Sequence, residues 1–480
     1  MNRLLLFFII IIAFFLIFYR ISSLIPFFND QGWFYLSARD MLTKGIIPLV
    51  GIASSHPWLH QGALWTYLLT LPLLLSRFNP ASGAIFTGML GLGTVILVYF
   101  IGKNLFSVRV GLISSFFYAT SPLVINNART AYHTSPIPFF TALLILAFYA
   151  WIKGNKKMFP MIIGLLAVLY NFEIATVSLT FVFLLILLYG IRFKKSWAKI
   201  WNKKLLFFSA FAWFIPMLPM LLYDTTHGFP QTLKFIAWIG YKVIAATGLY
   251  HLHNNSLTDW GQFFKFLYLH TQMLIFIPNG VIALVLLLCG FISLLYLLRK
   301  KMFTKDQDVY LLIFVIFLVP LAFVLVGGVA SDAYLPILYV PTILILSLFL
   351  SNLMRSRIGL IIVSILIFFI GGLNVYSVLS TQYLSTSEYF EKGLGIVPLT
   401  EIEKQTNVIL VDTKNKKFTI KGIGVYKNLT DNYQYIIYWM HGSLISNSKN
   451  VYIIQPEKDY KNTKNSLYSG YGVVITHKIE

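Results

Sequence analysis

Long uninterrupted apolar runs, separated by short basic or polar stretches, fill the first 380 residues. A helix needs about 20 apolar residues to cross the hydrocarbon core of a bilayer. Runs near that length lie at roughly 4–25, 82–102, 110–127, 136–152, 158–172, 174–191, 204–222, 272–298, 309–327, 334–351 and 357–380. They predict about eleven transmembrane helices, with the two between 158 and 191 forming a tight pair. A shorter stretch, Gly62 to Leu75, follows His56-Pro57 and is flanked by polar groups, so it reads as a helix lying at the outer surface. Beyond residue 380 the pattern changes to polar sequence rich in Lys, Asn and Thr. Short β-like runs appear there at Val408–Val411, Lys417–Ile420 and Val451–Ile454, and Tyr433–Met440 fits strand or helix. The expected fold class is an all-α polytopic membrane domain, residues 1–380, followed by a small α/β domain, residues 381–480.

Composition agrees. Only 11% of the residues are charged and 58% are hydrophobic, against about 25% charged in soluble domains. The net charge of +21 would suit a nucleic-acid binder if it formed a basic face, but it does not. The Lys and Arg residues sit between apolar runs, at Lys103 and Arg109, at Lys153, Lys156 and Lys157, from Arg192 to Lys204, from Arg299 to Lys305, and at Arg355 and Arg357. With a cytoplasmic N-terminus all of these fall on the inner side, as the positive-inside rule requires. The chain is therefore expected to be a multi-pass protein of a prokaryotic plasma membrane, with its C-terminus outside. Two long outer segments follow, 21–81 and 223–272. Arg3 precedes the first run as it would in a signal peptide. That run is long for a signal core and lacks a small-x-small cleavage site, so an uncleaved helix is expected. The lone Cys289 provides neither a disulfide framework nor a thiolate metal cluster. No Walker-type loop or nucleotide-binding glycine fingerprint is present.

Candidate chemistry rests on the acids. Residues 1–380 hold only Asp30, Asp40, Glu173, Asp224, Asp259, Asp306, Asp308 and Asp332. All except Asp306 and Asp308 are expected at the outer surface or at the outer ends of helices. Ionised groups near apolar segments tend to line cavities, so a polar chamber open to the outside is one reading, and ordinary solvated loops are the other. Asp30, in Phe28-Asn29-Asp30-Gln31-Gly32-Trp33-Phe34-Tyr35, is the sharpest candidate. A carboxylate between aromatics at the membrane surface suits a general base, and equally a helix N-cap. His56 and His60 are surface anchors or substrate contacts, and Asp332 faces the chamber or caps a helix. Trp33, Trp58, Trp65 and Trp260 suit an interfacial aromatic belt.

The order of the first helix, the Asp30 segment, His56-Pro57 before Trp65-Thr66-Tyr67-Leu68-Leu69, and Ala128-Arg129-Thr130-Ala131-Tyr132-His133 resembles the integral-membrane glycosyltransferases of the C-type fold. Within these, the protein O-mannosyltransferase and aminoarabinose-transferase group is the one it looks like. Tyr223-Asp224-Thr225-Thr226-His227-Gly228-Phe229-Pro230 is similar to a segment of bacterial members. The resemblance covers roughly residues 1–380. It implies the C-type fold, a polyprenyl-phosphate-linked sugar donor, a glycan, lipid or protein acceptor, and inverting transfer at the outer face, with Asp30 as the base. Arg129 first, then His227, Lys234 and Lys242, become candidates for holding the departing phosphate, with Asp224, Glu173 and His56 as further substrate contacts. The C-terminal domain then binds acceptor or caps the chamber. A transporter or lipid flippase is the rival class. It would favour inverted repeats and ionisable groups near mid-membrane, and neither stands out.

The chain departs from the family pattern where it lacks acids. Gln31 follows Asp30, and Tyr132, His133, Thr134 and Ser135 follow Arg129 where an acid often stands. Hard cations need several oxygen ligands, so the expected cofactor is none and no metal is required. Activity is expected to persist in EDTA; its loss, with recovery on adding Mg²⁺ or Mn²⁺, would refute this.

Overall fold

The computed structural model describes residues 2–54, 58–200, 202–246, 260–301, 307–327, 331–380, 397–414, 416–427, 429–457, 460 and 466–479. The chain starts with α1 (Asn2–Phe18), a single turn α2 (Ile21–Leu24) and α3 (Asn29–Lys44). Then come α4 (Leu64–Leu75), the long α5 (Ala81–Leu105), α6 (Val108–Thr120) and α7 (Pro122–Arg129). Next are α8 (Ile137–Ile152), α9 (Met158–Phe172), α10 (Val177–Arg192) and α11 (Lys203–His227). The second long segment carries α12 (Pro230–Ala246) and α13 (Trp260–Ile275). The bundle closes with α14 (Gly280–Lys300), α15 (Gln307–Gly327), α16 (Tyr339–Leu353) and α17 (Arg357–Leu379). Among the described residues seven helices are long and apolar enough to cross a membrane, or eight when α6 and α7 count as one bent span. The shorter apolar helices are α1, α4, α8 and α9. The chain is thus a multi-pass membrane protein. Phe207 on α11 and Phe368 on α17 are about 70% exposed (68% and 70%), which suits side chains facing lipid.

Local sequence explains where the structure departs from the apolar runs. The run at 110–127 is broken because Ser121 is extended ahead of Pro122, and the two halves meet at 62°. Proline lacks the N–H that would continue the helix and disfavours helical backbone in the residue before it. The run expected from 272 to 298 divides into α13 and α14 around Pro278, and the Asn279 side chain caps α14 by accepting from the Ile282 N–H at 3.1 Å. Where α5 and α6 cross, Gly102 and Gly111 meet. A Cβ on Gly102 would lie 2.7 Å from the Gly111 Cα, and one on Gly111 would lie 2.6 Å from the Tyr99 carbonyl oxygen. Small residues let membrane helices approach this closely. The basic connections are tied together at one end of the bundle. Arg109 donates to the Met354 carbonyl at 3.1 Å, and Lys195 pairs with Asp308 at 2.8 Å. Asp308 also accepts from Tyr189 and Trp197.

The C-terminal domain contains α18 (Leu399–Thr413), β1 (Thr419–Gly422), α19 (Asp431–Trp439), β2 (Asn450–Pro456), β3 (Tyr468–Gly470) and β4 (Val473–Ile479). The sheet order is β1-β2-β4-β3, with β1 parallel to β2 and the other pairs antiparallel. The parallel pair is connected through α19, as a parallel crossover requires. The strand expected at Val408–Val411 is instead part of α18. Ile402, Gln405, Thr406, Ile409 and Thr413 are buried at helical spacing, so an amphipathic face outweighs the β-branched composition. Tyr433–Met440 is resolved in favour of helix. The domain is hung on the chain ahead of α3. Leu399 N–H donates to the Ile25 carbonyl at 2.8 Å and Phe27 N–H to the Val397 carbonyl at 3.2 Å, with Pro26 facing Pro398.

Gly102→Ala is expected to lower the thermal midpoint in detergent, since overpacking costs about 1–3 kcal/mol. Gly240→Ala, where an added Cβ meets nothing within 4 Å, is the control and should leave the midpoint unchanged.

Candidate active site

The last carbonyls of α1 have no helical partners, and within lipid an unpaired backbone group costs several kcal/mol. Arg129 answers them. The bend at Ser121-Pro122 swings α7 back toward α1 and leaves Arg129 at its last position, fully buried. Its Nε donates to the Ile17 carbonyl at 3.0 Å, and its Nη2 donates to the carbonyls of Tyr19 at 3.1 Å and of Leu16. Nε and Nη2 thus hold the end of the first helix.

Fixing α1 to α7 brings the Asp30 segment against the loop after Arg129. Asp30 lies in the first turn of α3 and is half-buried. The N-cap position belongs to Phe28, so Asp30 is not the cap; it stands at the second helical position, where its charge faces the positive helix end. Its Oδ2 accepts from the Tyr132 hydroxyl at 3.1 Å. Tyr132 packs edge-on against Phe28, with ring centroids 5.1 Å apart. The next residue, His133, is buried and its Nε2 lies 3.2 Å from the Glu173 Oε2. Glu173 is itself only 3% exposed. Its Oε2 also accepts from Gln61 Nε2 at 2.9 Å, and its Oε1 caps a 3₁₀ turn by accepting from the Ala175 N–H. Gln61 closes the ring by accepting from the Ile174 N–H at 3.0 Å.

A second cluster begins at the neighbouring residue. His60 N–H donates to Gln231 Oε1 at 3.0 Å, and the Gln231 amide lies 3.1 Å from His60 Nδ1. Burial, and then the charge of nearby Lys234, lower the His60 imidazole pKa, which keeps it neutral near pH 7 and open to a hydrogen bond. Gln231 sits at the start of α12, where Asp224 is the cap. Asp224, 2% exposed, accepts from the N–H groups of Gln231 (2.7 Å) and Thr232 (3.0 Å) and from the Thr232 hydroxyl. The Tyr223–Pro230 motif is thus a helix corner: Gly228 ends α11 at φ 80° and Pro230 opens α12. His227 is exposed and folds back on Tyr223, stacking at 4.3 Å and placing Nδ1 2.9 Å from the Tyr223 carbonyl.

The structure therefore joins Asp30, Glu173 and Asp224 through Tyr132, His133, Gln61, His60 and Gln231, and the charge of Lys234 acts on His60. Arg129 supports this assembly from beneath, and His227 stays at the corner. His56 and Asp259 lie outside the described residues, as does the side chain of Lys242. Asp332 opens a 3₁₀ turn ahead of α16. Trp65, expected in an interfacial belt, is instead fully buried and stacks on Phe86. Among the described residues no three His, Cys, Asp or Glu side chains converge to hold a metal ion. Tyr132 and His133 were visible only as departures from an expected acid, and no sequence signal singled out Gln61 or Gln231.

Residues 56–223 match the family model described as dolichyl-phosphate-mannose-protein mannosyltransferase. A search of curated proteins finds no significant match. Among solved structures, the chain superposes on ArnT from Cupriavidus metallidurans bound to undecaprenyl phosphate with a TM-score of 0.59. The pair share 10% identity, over 99% of this chain and 97% of that one. The fold is the C-type glycosyltransferase fold. Archaeal AglB from Archaeoglobus fulgidus, in complex with an inhibitory peptide and a dolichol-phosphate, shares it at TM-score 0.52 and 11% identity. That alignment covers 95% of this chain and 69% of AglB. Family match and fold together indicate that this C-type protein is a membrane glycosyltransferase.

Arg129→Ala is expected to destabilise the protein by about 2–3 kcal/mol, the range for charge-assisted hydrogen bonds, with Arg129→Lys falling between. Thermal unfolding of the detergent-solubilised variants measures this; an Arg129→Ala midpoint equal to wild type would show that the α1 cap is dispensable.

Proposed function

We propose that the protein transfers a sugar from a polyprenyl-phosphate-linked donor to an acceptor hydroxyl at the outer face of the membrane, with inversion and with Asp30 as general base. The observation that carries this reading is the half-buried Asp30 carboxylate, steadied by the Tyr132 hydroxyl at 3.1 Å, at the junction of the long segments of a C-type fold. The lipid phosphates bound by ArnT and AglB support the donor class. The clustering of Lys and Arg in alternate connections between apolar segments supports the orientation.

In this mechanism the acceptor O–H proton passes to Asp30 as its oxygen attacks the anomeric carbon. The bond from that carbon to the phosphate oxygen breaks on the opposite face, and its electron pair leaves with the polyprenyl phosphate. Fixed positive charge steadies the leaving phosphate. Lys234, whose charge acts on His60, is one candidate for this role. Arg129 and His227 are the other cationic candidates. Glu173 and Asp224 then position the segments that frame the donor, and His56 extends the same surface.

Transfer from radiolabelled polyprenyl-phosphate hexoses to a membrane extract, by protein in lipid, tests the reading. Asp30→Asn should lower the rate by about a hundredfold or more, the contribution of a general base, while donor binding is kept. Undiminished transfer in that variant would move the base to Glu173 or Asp224.

A further inference from the structure

The C-terminal domain meets the Asp30 segment at the first turn of α19. A Cβ at Gly32 would fall 2.1 Å from the Asn432 nitrogen and 2.3 Å from the Asp431 carbonyl carbon, so α3 and α19 touch backbone to backbone. The Asn29 side-chain oxygen accepts from the Asp431 N–H at 3.0 Å, and Asn432 Nδ2 donates to the Phe27 carbonyl at 3.1 Å. Further along α19, the Tyr435 hydroxyl donates to the Phe78 carbonyl at 2.7 Å, and the Arg39 guanidinium lies 4.1 Å from the centre of the Tyr438 ring. The helix is held at both ends, and its N-terminal aspartate stands beside Asp30. Burial, and then the charge of Asp30, raise the Asp431 pKa above the usual carboxylate value.

About nine in ten buried polar groups in folded proteins find a partner. Here two are left open among the described residues: Gln31 Nε2, a donor, and Asn432 Oδ1, an acceptor. Both residues are buried, at 0% and 7% exposure, and each adjoins one of the two aspartates. An open donor and an open acceptor beside two carboxylates suit a ligand carrying several hydroxyls.

From this geometry we infer that Asp431 is a substrate-contacting residue of the site, receiving a hydrogen bond from an acceptor hydroxyl next to the attacking one. The inference rests on the glycosyl-transfer reading. It makes the C-terminal domain part of the reaction centre, with Asp30 taking the proton and Asp431 orienting the acceptor.

The test uses the full chain in lipid as wild type, Asp431→Asn and Asp431→Glu. Asp431→Asn keeps the backbone N–H bond to Asn29 and the side-chain shape. It should melt as wild type and bind undecaprenyl phosphate equally well. Its initial rate at sub-saturating acceptor extract should fall about tenfold or more, the loss of one charge-assisted hydrogen bond. Asp431→Glu should recover part of that rate. An unchanged rate in Asp431→Asn, or a loss matched by a lowered melting midpoint in both variants, overturns the inference. A readout without turnover separates this from failure of the transfer reading. A methyl hexoside should bind wild type about tenfold more tightly than Asp431→Asn, and no difference, including no binding by either, also overturns it.

Discussion

The first helix ends inside the molecule with carbonyls that neither a continued helix nor water can satisfy, and one guanidinium meets that demand. Arg129 holds the carbonyls of Leu16, Ile17 and Tyr19. The direction in which the chain leaves α1 follows from that contact, and so does the position of Asp30. The same residue fixes the start of the loop that carries Tyr132 and His133. Arg129 is thus a joint on which two segments are set. Its burial is tolerable because its charge is met by several carbonyl dipoles at a helix C-terminus, where cations are favoured.

From that joint the polar groups continue as adjacent pairs. Tyr132 touches Asp30 and His133 touches Glu173; Gln61 touches Glu173 and His60 touches Gln231. Each pair spans two segments distant in sequence, and the connection from one pair to the next runs through consecutive residues, Tyr132-His133 and His60-Gln61, or through the shared Glu173. Rigid helices set such groups more firmly than loops do. Here much of the firmness comes from helix ends: Glu173 and Asp224 cap a neighbouring turn or helix start, so their backbone surroundings are defined before any substrate arrives.

The apolar runs were readable because lipid imposes a plain rule: backbone groups must be paired within the segment and side chains must be apolar over a fixed length. Where the rule is local, helices lie where the apolar runs do, at full spanning length for α5 and α17 and shorter for α8 and α9. The reading failed where one residue changes the path of an otherwise apolar stretch, at Pro122 and Pro278. It failed again at α18, where burial on one face outweighs the β-branched Val408, Ile409 and Val411. Asp30 was legible because an acid among aromatics at a helix end is conspicuous. Asp431 was not, because an aspartate opening a polar helix looks like any cap, and only the tertiary contact with Gly32 gives it a different setting. Arg129 was legible as special, but its partners are carbonyls, and carbonyls carry no sequence signature.

The junction between Asn29 and Asp431 also has a consequence in time. The two residues are 402 positions apart, and the ribosome adds about 5–20 residues per second. The segment around Asn29 therefore emerges and waits on the order of 20–80 s for its partner to be translated. During that interval the membrane helices can insert and pack, but the surface between α3 and α19 stays unmade. This contact forms only after α1–α17 have been translated, so a nascent chain released before α19 would carry those helices without it.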